Sequence, residues 1–203
     1  MSEKTEYTII MIGSAAGSKA LSLLGYERES YISGSIQDLP VDRNAELRKR
    51  YPVRYLDEAG KRIREEICKT VDYVQSTDFA KLAAQKENIP KDDLDQGTIS
   101  VFECSEDGVF GTLWRLGETL AAGLEVDLYD IPIDQAVIEL CDHEDINPYE
   151  ADSLGAYLVA AKTPGRMLKN MEEHGITARI IGYTTAENAR VIKGPTVRYL
   201  TRA

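Results

Sequence analysis

A chain of 203 residues, 43% apolar and 29% charged, falls within one ordinary globular domain, and at this length it should bury roughly 70% of the surface that its unfolded form exposes. Its formal net charge of −10 would repel a phosphate backbone, because the basic residues are not segregated, so nucleic acid is excluded as a partner. The apolar run Tyr7 to Ile12 is far too short for a membrane span, and Glu3, Lys4 and Glu6 before it do not make a signal peptide, so the expectation is a cytoplasmic protein with no membrane partner.

The hydrophobic period switches repeatedly between two and about 3.6, which predicts an α+β fold. Tyr7 to Ile12 reads as the first strand. The cluster "IGSAAGSKALSLLG" that follows invites comparison with a phosphate-binding P-loop. It fails that pattern: only three residues separate Gly13 from Gly17, Ser18 precedes Lys19, and Ala20 stands where a magnesium-binding hydroxyl is required. Gly13, Ser14, Gly17 and Ser18 remain candidates for a strand-to-helix turn whose amides face an anion; the plainer reading is a turn that lets the backbone pack closely. From Tyr55 to about Lys86, Leu56, Ala59, Ile63, Ile67, Val71 and Val74 recur at helical spacing with Lys, Arg and Glu between them, predicting a long helix buried along one stripe. A break is expected near Ser76 to Asp78, where a new N-cap is available. Glu87 to Gly97 is polar, contains Pro90, and reads as a surface connector.

Thr98 to Glu103 predicts the next strand. Next comes "CSEDGVFGTLWRLGETLAAGLEVDLYDIPI", Cys104 to Ile133. Ser105, Glu106, Asp107 and Gly108 suit the start of a helix over about Gly108 to Ala122: a hydroxyl accepts orphan amide protons, and carboxylates favour the positive end of the dipole. The same helix N-terminus could dock an anion, although two adjacent carboxylates oppose a phosphate unless Mg²⁺ is held between them. The chain then turns through Gly123 into a strand at Leu124 to Tyr129, with a helix at Asp134 to Glu144.

"HEDINPYEADS", His143 to Ser153, contains a turn at Asn147-Pro148, with Glu150 and Asp152 as solvated surface and no metal-ligand spacing. Ser153-Leu154-Gly155 lacks a G-x-S-x-G elbow, so nucleophilic catalysis is not supported. Strands follow at Ala156 to Ala161 and Ala178 to Tyr183, with a closing pair at Arg190 to Ile192 and Thr196 to Leu200. Between them Pro164 to Glu173 reads as a helix with Thr163 as N-cap, Met167, Leu168 and Met171 on one face, and Gly175 just past the end. His143 and His174 sit near helix ends and suit C-terminal dipoles better than a base or a metal ligand. Cys68, Cys104 and Cys141 lie dozens of residues apart, which suggests free thiols rather than disulfides or a metal knuckle.

From Ser105 to Leu200 the chain resembles the C-terminal domain of the aminoimidazole ribonucleotide (AIR) synthase-related superfamily, and within it the hydrogenase maturation dehydratase group. The resemblance rests on "SEDGVFGTLWRLGETLAAGLEVDLYDIPI", "INPYEADSLGAYLVA", and "GITARIIGYTT" followed by "VRYL". Weaker similarity runs back through Gly13 to Leu24. The resemblance implies a mixed sheet covered by helices, forming one wall of a cleft, with residues 51–97 as a helical insertion and connector within one domain spanning 1–203. In full-length relatives an N-terminal domain with an acidic Mg-ATP motif supplies the other wall; nothing in residues 1 to 100 looks like it. Relatives often show His-Asp and then Thr-Glu-Gly-Gly at the loop where this chain has Phe102, Glu103, Ser105, Glu106 and Asp107, and they present a C-terminal cysteine where this chain reads Tyr199-Leu200-Thr201-Arg202-Ala203. The expectation is a domain that is not catalytic alone. Gly13 to Ser18, Ser105 to Gly108, and Ser153 to Gly155 would form a remnant cleft for a phosphorylated or nucleotide-like ligand, or the domain would bind a protein partner. The rivals are one half of a split ATP-dependent enzyme, taking Mg-nucleotide only when a separate ATP-binding-domain partner completes the cleft, and a homo-oligomer built through the long helix.

Overall fold

The computed structural model describes residues 6–26, 45–77 and 98–201. Seven strands form one mixed sheet: β1 Thr8–Ile12, β2 Thr98–Glu103, β3 Gly123–Asp127, β4 Tyr157–Ala161, β5 Ala178–Thr185, β6 Arg190–Lys193 and β7 Arg198–Tyr199. Their order is β2-β4-β1-β5-β3-β6-β7; β3 and β6 run parallel, and every other neighbouring pair is antiparallel. The helices are α1 Gly17–Leu23, α2 Ala45–Arg50, α3 Val53–Ser76, α4 Gly108–Leu120, α5 Gln135–His143 and α6 Gly165–Glu173. The fold is α+β, as the alternation of periods predicts.

Strand alternation sends neighbouring residues to opposite faces, and helices cover both. Ile9 and Met11 of β1 face one side with Leu158, Leu124, Val126 and Ile181, where α4 packs Val109, Leu113 and Leu116 against them. Ile10 and Ile12 face the other side with Tyr157 and Val159, under Met167 and Met171 of α6 and Val74 at the end of α3. A third cluster lies off the sheet, where Ile63 and Ile67 of α3 meet Ala16, Ala20 and Leu21 around α1 and Val137 and Leu140 of α5. The apolar stripe of the long helix is therefore buried within its own chain. An oligomer, one of the alternatives read from sequence, would use a surface other than the Leu56 to Val74 stripe.

Several boundaries differ from the sequence reading for local reasons. The strand expected to reach Tyr129 stops at Asp127, whose carboxylate accepts the Tyr129 amide and turns Leu128–Asp130 into a 3-10 helix. Helix α4 ends one turn before Gly123. It is Ala121 that adopts the left-handed conformation, with φ 47°, while Gly123 is needed because a Cβ there would collide with the carbonyls of Glu187 and Ala189. Pro164, rather than Thr163, occupies the N-cap position of α6. Helix α3 stops at Ser76, as expected; the remainder of the predicted helix to Lys86 and the connector Glu87 to Gly97 lie outside the described residues. His143 ends α5 and His174 caps α6, the positions read from sequence.

Candidate functional site

The first strand opens into a turn that is stitched to three other segments. Gly13, at φ 77°, donates its amide to the Thr177 carbonyl at 2.8 Å, and the Ala15 amide reaches the Pro132 carbonyl at 2.8 Å. Ala16 is left-handed at φ 53°, and its amide donates to Ser153 Oγ at 2.8 Å; the Lys19 amide donates to the Asp152 carbonyl at 3.1 Å. Ser18 Oγ donates to the Asp152 carbonyl at 2.7 Å and accepts from the Leu154 amide at 3.0 Å. Ser153 Oγ also donates to the Ala151 carbonyl at 2.9 Å, and the Ser153 amide reaches the Ser105 carbonyl at 3.3 Å. The three segments named from sequence, around Gly13, Ser105 and Ser153, thus meet at the turn 151–155.

Their donors, however, are turned inward. Ser18 and Ser153 are fully buried, and each hydroxyl both donates and accepts within the protein. The amides of Gly13, Ala15, Ala16 and Lys19 are likewise engaged. These particular groups hold loops together, in keeping with the plainer reading of a turn that lets the backbone pack closely. Ser105 does not cap α4. Asp107 occupies that position without a side-chain cap bond, Ser105 Oγ lies 3.3 Å from Asp107 Oδ1, and Arg115 approaches the same oxygen at 3.3 Å. Glu106 is exposed, and Gly108 packs against residues 149–151. Asp152 is half-buried rather than solvated surface, since both its carbonyl and its carboxylate accept hydrogen bonds from this assembly. Among the described residues, no group of three or more His, Cys, Asp or Glu is placed to hold a metal ion.

A recess opens beside the turn, between Gly13, Ser14 and Gly17, the α3 residues Glu66 and Thr70, Asp134 at the head of α5, and Gly155. Ile63, Ile67 and Val137 form its apolar walls, and its depth has room for about one water-sized group. Glycine is required around it. A Cβ on Gly155, which sits at φ 85°, would come within 2.7 Å of Ile67, and one on Gly17 within 3.3 Å of the same side chain. Ser14 Oγ donates to Glu66 Oε1 at 2.7 Å. Asp134 accepts from Arg62 Nε at 2.7 Å and Nη2 at 2.9 Å, and caps α5 through the Ala136 amide at 2.8 Å. The Arg62 guanidinium holds the Asp134 carboxyl below its ordinary range, while partial burial works against it. Further along the same helix pair Tyr55 donates to Glu139 at 2.8 Å, and burial together with that carboxylate pushes its pKa up to about 12.

In the sequence Glu66, Thr70, Arg62 and Asp134 read as the polar side of amphipathic helices. The available signal was the spacing of Glu66 and Thr70, one turn apart and adjacent to the Ile63 and Ile67 stripe. The thiols are not primed as nucleophiles: burial raises Cys104 to about 12 and Cys141 to about 11, so both are protonated at neutral pH.

Asp134→Ala is expected to destabilise the protein by roughly 0.5–2 kcal/mol at pH 7, through loss of the α5 cap. Because the folded carboxyl titrates below the 3.8 of the unfolded group, its charge-dependent share is present above that pH and disappears as pH falls through the folded value. Urea melts of both proteins at pH 7 and pH 3 check this; an undiminished difference at pH 3 would contradict the electrostatic share.

No protein-family model and no curated protein matches the chain. Solved structures do. The chain aligns with a hydrogenase maturation protein, HypE of E. coli, at a TM-score of 0.60 and 12% identity, over 97% of this chain and 50% of that one. A structure described as a HypE-HypF complex gives 0.55 at 14% identity, over 100% and 54% of the two chains. Thiamine-monophosphate kinase from Stenotrophomonas maltophilia K279a gives 0.52 at 11% identity, over 93% and 50%. The 203 residues thus span about half the length of the structures they match, and at these identities the likeness is one of fold. With its seven-stranded mixed sheet and covering helices, this chain has the fold of an AIR synthase-related C-terminal-type domain.

Proposed function

We propose that these residues form a ligand-binding domain that is not catalytic by itself, with its site in the recess between the Gly13 turn, α3 and the head of α5. The observation that carries this is a glycine-lined recess whose surrounding loops are fixed by internal hydrogen bonds, while Glu66 and Thr70 face it from a single helix. A prebuilt wall of this kind lowers the ordering cost of binding. The phosphorylated ligand expected from sequence suits the recess poorly: the amides of Gly13, Ala15, Ala16 and Lys19 are engaged, and a phosphate would meet the Glu66 carboxylate beside the Arg62-paired Asp134. The test is a thermal-shift screen of the purified chain against small ions, amines and nucleotides, together with an ATPase assay on the chain alone. A ligand-dependent rise in melting temperature without nucleotide turnover is expected. Hydrolysis well above background that is lost in Glu106→Gln and Asp107→Asn would overturn the non-catalytic assignment.

One observation favours a second role, as one half of a split ATP-dependent enzyme. The chain spans about half of each HypE structure it matches, including one described as a complex with ATP, aligned at a TM-score of 0.54 and 15% identity over 50% of that chain. On this account a separate ATP-binding polypeptide completes the cleft, and nucleotide turnover emerges only when it is added. Absence of such a polypeptide from complexes isolated from the native cell counts against it.

A further inference from the structure

We propose that the recess beside the Gly13 turn receives an ammonium group, either the –NH₃⁺ end of a primary amine or the ammonium ion itself; this rests on the ligand-binding reading above and specifies its chemistry. Three features select that group. The first is a buried polar atom: Thr70 lines the recess and is 1% exposed, and among the described residues its Oγ1 has no hydrogen-bond partner. A helical threonine usually satisfies its hydroxyl on the carbonyl one turn back, and a buried unsatisfied oxygen is costly, so an oxygen left open here calls for a donor from outside. The second is charge. Glu66, one turn before Thr70, uses Oε1 to accept from Ser14, and among the described residues its other oxygen has no protein hydrogen bond. Asp134 also lines the recess, but the Arg62 guanidinium is paired with it, which leaves Glu66, among the described residues, as the recess carboxylate without an ion pair.

The third feature is size. The narrow floor of the recess favours a small group over a phosphate, and the Glu66 carboxylate disfavours an anion. Ca²⁺ and Mg²⁺ want six or more oxygens around them, whereas Ile63, Ile67 and Val137 form much of this wall, and among the described residues no group of three or more His, Cys, Asp or Glu is placed to hold another metal. A quaternary ammonium carries the charge but no N–H to donate. An –NH₃⁺ group is small, cationic and supplied with several donors, which matches a carboxylate oxygen and a threonine oxygen lying one helical turn apart.

The test is thermal melting of the full chain in ammonium chloride and in methylammonium chloride, against sodium, potassium and tetramethylammonium chloride at equal ionic strength. Ammonium is expected to raise the melting temperature by a few degrees relative to sodium. An equal rise with methylammonium identifies the end of an amine as the ligand, whereas a rise with ammonium alone identifies the free ion. Glu66→Gln should weaken the apparent affinity by about tenfold or more, as expected on losing a charge-assisted hydrogen bond. Thr70→Val should lose the response while leaving the unliganded melting temperature unchanged or higher, since it removes an oxygen that satisfies nothing; a purely structural hydroxyl would lower it. An equal rise with potassium, or a response undiminished in Glu66→Gln, overturns the assignment. If instead inorganic phosphate or AMP raises the melting temperature and Glu66→Gln alters that rise, the binding site stands and the ammonium assignment falls; if no ion, amine or nucleotide shifts it, both fall.

Discussion

Replacing Gly108 with alanine is expected to lower stability by about 3 kcal/mol, more than any other change considered for this chain. Two costs coincide there. Gly108 opens α4 with φ 64°, a left-handed conformation that costs a residue bearing a Cβ roughly 1–2 kcal/mol. In addition, a Cβ would stand 2.6 Å from the Tyr149 carbonyl oxygen, 2.7 Å from the Glu150 carbonyl carbon and 2.8 Å from the Ala151 carbonyl oxygen. All three are backbone atoms, so relief requires moving the 149–151 stretch, and the Phe110 amide is hydrogen-bonded to Tyr149 at 3.0 Å from the same side. For a chain of this size the loss corresponds to a fall in melting temperature of roughly 6–12 °C. A change of less than about 1 kcal/mol in equilibrium denaturation would show that the loop yields, and that the contact does not fix α4 against the residues leading into Ser153.

Ser153→Ala should come next, at about 2 kcal/mol, or roughly 4–8 °C in melting temperature. The Ser153 hydroxyl is fully buried and accepts the Ala16 amide at 2.8 Å while donating to the Ala151 carbonyl at 2.9 Å. Alanine leaves the buried Ala16 amide without that acceptor, and a buried group left unsatisfied costs about 1–3 kcal/mol. Ser18→Ala makes a useful contrast. The Leu154 amide, which donates to Ser18 Oγ, also reaches Asp152 Oδ1 at 3.2 Å, and the Asp152 carbonyl still accepts from the Lys19 amide at 3.1 Å. The milder loss, about 0.5–1.5 kcal/mol, follows from those retained partners. Denaturation of the two variants and their double mutant measures both the order and the coupling. Should Ser18→Ala prove the more damaging, the hydrogen-bond assignment of the turn is wrong. A misplaced Gly13 turn would also alter the recess, so the ammonium response should weaken in Ser153→Ala before it does in Ser18→Ala.

Most strands and helices were legible because their evidence is local. Ile9, Ile10, Met11 and Ile12 form a run that only a strand buried on both faces accommodates, and it lies in the middle of the sheet between β4 and β5. Leu56, Ile63, Ile67 and Val74 repeat at the helical period, and α3 buries that stripe. Boundaries set by side-chain capping or close approach were less legible. Asp127 ends β3 with a carboxylate that any surface residue might carry, and Gly123 is glycine because of carbonyls more than sixty residues away. Helix α2 is a six-residue element, too short to show a period.

The candidate site divides in the same way. Gly13, Ser105 and Ser153 lie in three separate stretches of sequence, and the structure brings them together; yet the Ser18 and Ser153 hydroxyls are among the atoms that join them, because whether a donor is available depends on what lies opposite it. Glu66 and Thr70 read as ordinary helix surface until the fold set them beside a glycine turn. The mixed fold and the buried stripes are written in the order of residues along the chain, because period is a property of neighbouring residues. Which polar groups are engaged and which stay open follows from the folded arrangement, since a hydrogen bond between residues 16 and 153, or an oxygen at residue 70 without one among the described residues, depends on distances that no local pattern encodes.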